Sequence, residues 1–156
     1  MEKAAFGAGC FWGVEAAFRK LKGVQSTAVG YMGGHTDNPT YKEVCSDESG
    51  HAEVVLVEFD PAQISYEDIL KTFWSCHNPT EVNRQGPDEG TQYRTAIFTY
   101  SDEQAEQAER AKKALADSGK YKKPIATSVE PAQTFYIAED YHQQYLEKRG
   151  LASCHI

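Results

Sequence analysis

The chain has 156 residues with a formal charge of −7 at pH 7, from 23 acidic and 16 basic side chains. That length suits one domain, which can bury roughly two-thirds of the surface its unfolded form exposes without a disulfide staple. The acidic balance argues against a phosphate-backbone partner, which needs clustered Lys and Arg.

No run approaches the ~20 apolar residues of a membrane span, and Met1-Glu2-Lys3-Ala4-Ala5-Phe6 lacks the pattern of a secretory leader. A soluble, cytoplasmic monomer that binds neither nucleic acid nor membrane is therefore expected. Arg110, Lys112 and Lys113 are mixed with acids and read as a solvated helix face. Cys10, Cys45, Cys76 and Cys154 are widely spaced with no Cys-x-x-Cys pair, which gives little support to a disulfide framework or a bound metal.

In chain order, residues 3–8 predict a strand, and Val14, Ala17, Phe18 and Leu21 then recur at helical spacing until Gly23. A second strand is predicted over 24–31, followed by a long polar loop over 35–50. Apolar residues on both faces of 52–59 predict a covered strand. Ser65 with Asp68 signals the start of a helix that carries Ile69, Leu70, Phe73 and Trp74. A second loop spans 78–93, with a strand over 95–100 after it. Ser101 and Gln104 form a capping-box signal for an Ala-rich helix to about Ser118. A short strand near 128–131 and a helix over about 139–149 end the chain. The first six elements read β-α-β-β-α-β, so the expected fold is α+β: a two-layer sandwich with a ferredoxin-like core, a C-terminal helix and a mobile tail. One catalytic domain covers 1–156, with 150–156 as the flexible tail.

Cys10 lies in Gly7-Ala8-Gly9-Cys10-Phe11-Trp12-Gly13, where a strand stops and a helix begins. Unpaired N–H groups at a helix start favour a thiolate over a thiol, and the glycines let a substrate come close. Phe11 and Trp12 suggest an apolar wall beside the sulfur. The competing reading is a buried structural Cys. Making an ordinary thiol mostly ionised at neutral pH takes roughly 2.7 kcal/mol, whereas a helix terminus supplies typically about 0.3–1 kcal/mol and at best about 2. No Lys, Arg or His flanks Cys10, so full activation is expected to await the substrate.

Glu53 interrupts the apolar strand Ala52-Glu53-Val54-Val55. A carboxylate is costly to bury charged and usually stays protonated, which would make it a proton donor; a solvated strand face is the other reading. The residues alone leave other functions open. One is a cysteine hydrolase using Cys10, Glu53 and His51, which lacks an oxyanion-hole signature. Another is a binding module in which Phe11 and Trp12 capture a peptide, which leaves Cys10, Glu53 and Cys154 unexplained.

Gly9-Cys10-Phe11-Trp12-Gly13, Tyr41-Lys42-Glu43-Val44-Cys45, Gly50-His51-Ala52-Glu53-Val54-Val55, and Asn83-Arg84-Gln85-Gly86 through Asp88 to Gln92-Tyr93-Arg94 closely resemble peptide methionine sulfoxide reductases of class A. Ala138-Glu139-Asp140-Tyr141-His142-Gln143-Gln144-Tyr145-Leu146 resembles them too. The resemblance implies reduction of methionine S-sulfoxide, free or in oxidised proteins, as repair of oxidative damage. It makes Cys10 the nucleophile, Glu53 the acid, and Tyr41 and Tyr93 the phenols that hold the sulfoxide oxygen. Phe11 and Trp12 would enclose the substrate methyl group, with Asp88, His142 and Tyr145 lining the site. Spacing from Tyr141 also fits Tyr145 as a helix core residue.

These roles suit the chemistry. Sulfoxide reduction needs a soft nucleophile for sulfur and proton donors for oxygen, and each phenol is comparable to an oxyanion donor of about 3 kcal/mol. Attack leaves a sulfenic acid on Cys10, which condenses readily with a second thiol. Cys154, near the chain end after Gly150, is the expected resolver, and the resemblance implies that thioredoxin then reduces the disulfide, with no bound cofactor or metal. Cys45 and Cys76 are left as small packed residues. Two positions depart from the family pattern: His77-Asn78-Pro79, and Pro87 before Asp88. Both fall at turns, where altered loop geometry is expected.

Overall fold

The computed structural model describes residues 2–46 and 49–145. The elements run β1 (Glu2–Ala8), α1 (Phe11–Arg19), β2 (Val24–Met32), α2 (Tyr41–Cys45), β3 (Ala52–Phe59), α3 (Tyr66–Ser75), β4 (Arg84–Gln85), β5 (Asp88–Glu89), β6 (Thr95–Thr99), α4 (Asp102–Asp117), β7 (Ser128–Pro131) and β8 (Tyr136–Ile137). Six strands form one sheet in the order β7-β6-β1-β3-β2-β8, and β4 pairs with β5 as a separate hairpin. Within the sheet β1 runs antiparallel to β3 and β6, and β2 antiparallel to β3 and β8; β7 alone is parallel to its neighbour β6.

Alternation along the strands sorts the core into two faces. Phe6, Val29, Tyr31, Val55, Val57, Phe59 and Ile97 meet Phe11, Val14 and Phe18 of α1 and Ile69, Leu70 and Phe73 of α3. Ala5, Met32, Ala52, Val54, Ala96 and Phe98 face the other way, against Ala132 and Phe135 of the connection between β7 and β8. Glu53 has the parity of Val55 and Val57, so its side chain points toward the helices. The sheet is thus a mixed α+β scaffold with its helices on one face. A Cβ at Gly30 would collide with the Phe135 ring and the Tyr136 carbonyl, so the strap over the second face requires glycine there.

The helix starts follow the sequence signals. Ser65 Oγ accepts from Asp68 N–H at 3.1 Å, and Ser101 Oγ accepts from Gln104 N–H at 3.1 Å. Three expectations need correction. The loop over 35–50 contains α2, capped by Thr40 Oγ1, which accepts from Glu43 N–H at 3.2 Å. The loop over 78–93 contains the β4–β5 hairpin, turning at Gly86 with φ of +56°, and a 3₁₀ turn at Thr91–Tyr93. Over 139–144, the first part of the helix expected over about 139–149, the chain makes a 3₁₀ turn at Asp140–His142, because Gln143 and Gln144 bond sideways to β2 and α1 instead of continuing the turn; residues 146–149 lie outside the described residues. The expected tail over 150–156, with Cys154, lies outside the described residues.

Phe6 is fully buried, with ring centroids of Phe18 at 5.2 Å and Phe73 at 5.1 Å. Phe6→Ala is expected to cost about 3–5 kcal/mol of unfolding free energy in a denaturant titration. Val82→Ala, at a residue 70 % exposed, should change it by less than about 0.5 kcal/mol.

Candidate active site

Antiparallel pairing brings the C-terminal end of β1, the C-terminal end of β2 and the N-terminal end of β3 to one edge, with Tyr31 opposite Glu53. At that edge Gly9, with φ of +94°, turns β1 sharply into α1. Cys10 occupies the N-cap position, half-buried, and makes no side-chain cap hydrogen bond. The first turn of α1 carries no acidic residue of its own. The acid comes from β3: Phe11 N–H donates to Glu53 Oε1 at 3.2 Å. Glu53 is only 2 % exposed, so it is a buried carboxyl directly beside the candidate nucleophile.

Tyr41 opens α2 and Tyr93 closes the 3₁₀ turn, and both phenols belong to the same cluster. Burial first, then the charge of Glu53, holds the Tyr41 hydroxyl well above its ordinary acidity range. Burial and then Glu53, Cys45, Asp88 and Cys10 do the same for Tyr93. Both hydroxyls therefore stay protonated and act as hydrogen-bond donors.

Around Trp12 the chain builds an aromatic box. Trp12 Nε1–H donates to His142 Nδ1 at 2.9 Å, and the Trp12 ring stacks on Tyr145 with centroids 3.8 Å apart. The His142 ring lies 4.4 Å from Tyr41 and 5.2 Å from Phe11. Phe11 is 1 % exposed, so it is the back wall of the box and cannot present a peptide-capturing surface. Because Nδ1 accepts, the proton of neutral His142 resides on Nε2, which has no hydrogen-bond partner among the described residues.

The remaining candidates separate. His51 Nδ1 accepts from Gly34 N–H at 3.0 Å, so Nε2 carries the proton and donates to the Thr36 carbonyl at 2.7 Å. With both nitrogens engaged on backbone, His51 is a loop fastener and offers no general base to a hydrolase. Cys76 is half-buried, donates to the Phe73 carbonyl at 3.3 Å, and is pushed by burial up to about 12. Cys45 is exposed, which overturns the expectation of a packed residue. Partial burial, and after it the charges of Glu53 and Glu139, raise its thiol above the ordinary range against smaller opposing effects of Tyr41 and Gln92. The sequence reading missed Gln92, Tyr31 and Glu139. A signal for α2 was present in Thr40-Tyr41-Lys42-Glu43, a capping box set among loop-forming residues.

With His51 unable to serve as a base, the thiol at the start of α1 and the carboxyl beside it favour thiol redox chemistry over hydrolysis. The sequence profile described as peptide methionine sulfoxide reductase matches residues 2–156. The chain is 59 % identical over 155 residues to "Peptide methionine sulfoxide reductase MsrA" of Methanothermobacter thermautotrophicus, covering 99 % of this chain and 92 % of that one. Methionine sulfoxide reductase A of Corynebacterium diphtheriae superposes with a TM-score of 0.85 at 41 % identity, over 98 % of this chain and 77 % of that one. Reduced Mxr1 from Saccharomyces cerevisiae gives 0.89 at 36 % identity, over 96 % and 86 %; Mxr1 has also been solved in complex with Trx2, where the match is 0.65 at 24 % identity over 92 % and 84 %. The chain belongs to the peptide methionine sulfoxide reductase family, class A. Its activity is that of a peptide-methionine (S)-S-oxide reductase, which reduces and thereby repairs oxidised methionine.

Burial lowers the proton affinity of His142 from its ordinary value of 6.5, against a smaller opposing effect of Glu139. The unfolded chain then binds more protons below pH 6.5, so this contribution to stability is complete above that value and is lost as pH falls below it. Guanidinium unfolding midpoints at about pH 7.5 and 5.5 should therefore drop less in His142→Gln, whose amide oxygen can still accept from Trp12, than in the wild type.

Proposed function

We propose that the site reduces methionine S-sulfoxide, free or peptide-bound, by direct attack of Cys10 sulfur on the sulfoxide sulfur. The Cys10 thiolate forms a bond to that sulfur, and the sulfoxide oxygen takes a proton from Glu53 while accepting from the phenols of Tyr41 and Tyr93. The hydroxyl group then passes to the Cys10 sulfur as the sulfoxide S–O bond and the new S–S bond break, leaving Cys10 as a sulfenic acid and releasing the thioether; the thiol is oxidised by two electrons and the sulfoxide reduced by two. The substrate methyl group rests between Phe11 and Trp12, with Asp88, His142 and Tyr145 around it. Cys154 then attacks the sulfenic sulfur, water leaves, and a Cys10–Cys154 disulfide remains. A thioredoxin-type dithiol returns both thiols, and the chain itself binds no cofactor.

The observation that carries this reading is the 3.2 Å hydrogen bond from Phe11 N–H to Glu53. It holds the buried Glu53 carboxyl one residue from Cys10, which supports their reading as acid and nucleophile. The Mxr1–Trx2 complex supports a thioredoxin-type partner. For the scaffold we infer a ferredoxin-like core of β1, α1, β2, β3, α3 and β6, supported by the antiparallel order β6-β1-β3-β2, with α2 inserted between β2 and β3.

Incubation with methionine sulfoxide and no reductant should release one methionine per chain and consume two of the four thiols. Cys10→Ser should release none. Cys154→Ala should keep the first equivalent and stall there, and loss of that first turnover would reverse the cysteine assignments. Glu53→Gln should slow the first turnover by about a hundredfold or more at neutral pH, the usual contribution of a general acid.

A further inference from the structure

The chain segment over 136–144 is fastened to the catalytic face on both sides of Glu139. Before it, β8 pairs with β2, and Ala138 N–H donates to the Val29 carbonyl at 2.9 Å. After it, Gln143 makes a two-way amide contact with Val29, accepting from its N–H at 2.8 Å and donating to its carbonyl at 2.9 Å. Gln144 N–H then reaches the buried carboxylate of Glu15 in α1 at 2.7 Å. Glu139 has little freedom between these anchors.

Its carboxylate is spent on two neutral donors, one from each of two elements of the site. Oε1 accepts from the hydroxyl of Tyr31, a fully buried residue of β2, at 3.1 Å. Oε2 accepts from the backbone N–H of Tyr41 at 3.1 Å. Tyr41 is the first residue of α2, a helix of five residues. So short a helix has no stability of its own and takes its position from what holds it. Thr40 Oγ1 serves the N–H of Glu43, leaving the Tyr41 N–H to Glu139.

We propose that Glu139 is a positioning residue for the reaction: by bridging the Tyr31 hydroxyl and the Tyr41 backbone, it fixes the place at which the Tyr41 phenol meets the sulfoxide oxygen. The inference rests on the reading of Tyr41 as an oxygen-binding phenol. Glu139 makes its hydrogen bonds to Tyr31 and to the Tyr41 backbone, so the positioning effect on the oxygen-binding phenol passes through Tyr41. Geometry is the operative property. A glutamine at this position can accept from the Tyr41 N–H with its oxygen and donate from its amide to the Tyr31 hydroxyl, which is itself an acceptor. An alanine can do neither, and a displacement of about 1 Å in a transition-state donor is enough to cost on the order of a hundredfold.

First-turnover rates without reductant separate this step from disulfide recycling, and a cycle of Tyr41→Phe, Glu139→Ala and the double variant tests the coupling. Glu139→Ala is expected to slow the first turnover about tenfold or more in the wild-type background and less than about threefold in the Tyr41→Phe background. Glu139→Gln should stay within about threefold of wild type, which also shows that the site tolerates substitution if the alanine variant folds poorly. Additive losses in the cycle, or a Glu139→Gln rate as low as that of Glu139→Ala, would overturn the positioning role while leaving the phenol reading intact. A Tyr41→Phe rate equal to wild type would overturn the phenol reading and the positioning role together.

Discussion

The hydrogen bond from Phe11 N–H to Glu53 Oε1 ties the catalytic helix to the sheet and sets the electrostatics of the site. A helix start leaves N–H groups unpaired and carries partial positive charge. Here that charge faces two groups able to hold a negative one: the Cys10 thiol at the N-cap and the Glu53 carboxyl on β3. Two neighbouring anions would repel, so thiolate with neutral carboxyl and thiol with carboxylate are alternative placements of one proton. The first of these is the combination the proposed reaction uses. The register that pairs Phe6 with Val55 and Tyr31 with Glu53 is therefore a constraint on chemistry as well as on packing, because a one-residue slip would turn Glu53 to the opposite face.

A second constraint is that the aromatic box is assembled from distant parts of the chain. Trp12 comes from α1 and Tyr41 from α2, while His142 and Tyr145 come from the segment after β8. Over 139–144 that segment makes a 3₁₀ turn and no α-helix packed by its own amphipathic face. It is a strap in which the Gln143 amide is used on the backbone of β2 and the Gln144 backbone N–H on Glu15 of α1. Side chains of this kind specify position more than they add stability, since each hydrogen bond contributes about 1 kcal/mol net but a broken one leaves a buried group unsatisfied.

This division explains what was legible in the sequence. Strands and helices with strong periodicity or a cap, such as 52–59 with its two apolar faces and the helix opened by Ser101 and Gln104, are local in origin and were readable. The placement of Cys10 at a glycine-flanked strand-to-helix turn and of Glu53 as a carboxyl in an apolar strand was also readable. What escaped reading depends on contacts across the chain. The region after 139 has the composition of a helix, but the partners of Gln143 and Gln144 lie more than a hundred residues away. The exposure of Cys45 follows from the placement of α2, which Thr40 caps and Glu139 holds from the far end of the chain. A polar, Gly- and Pro-containing loop hid both.

The proton for the leaving oxygen can be traced by elimination among the groups gathered here. Tyr41 and Tyr93 are held above the ordinary phenol range by burial and by the acids around them, so they donate hydrogen bonds without giving up protons. His142 is kept neutral by burial, and the proton it retains on Nε2 belongs to an uncharged imidazole, a far weaker acid than any carboxyl. Cys45 is likewise raised by burial. Asp88 is a second carboxyl assigned to the site, and what favours Glu53 over it in the proposed reaction is the hydrogen bond from Phe11 N–H, one residue from Cys10. In the proposed reaction the division of labour follows from environment: the phenols stabilise charge growing on oxygen, and the buried carboxyl beside Cys10 discharges it.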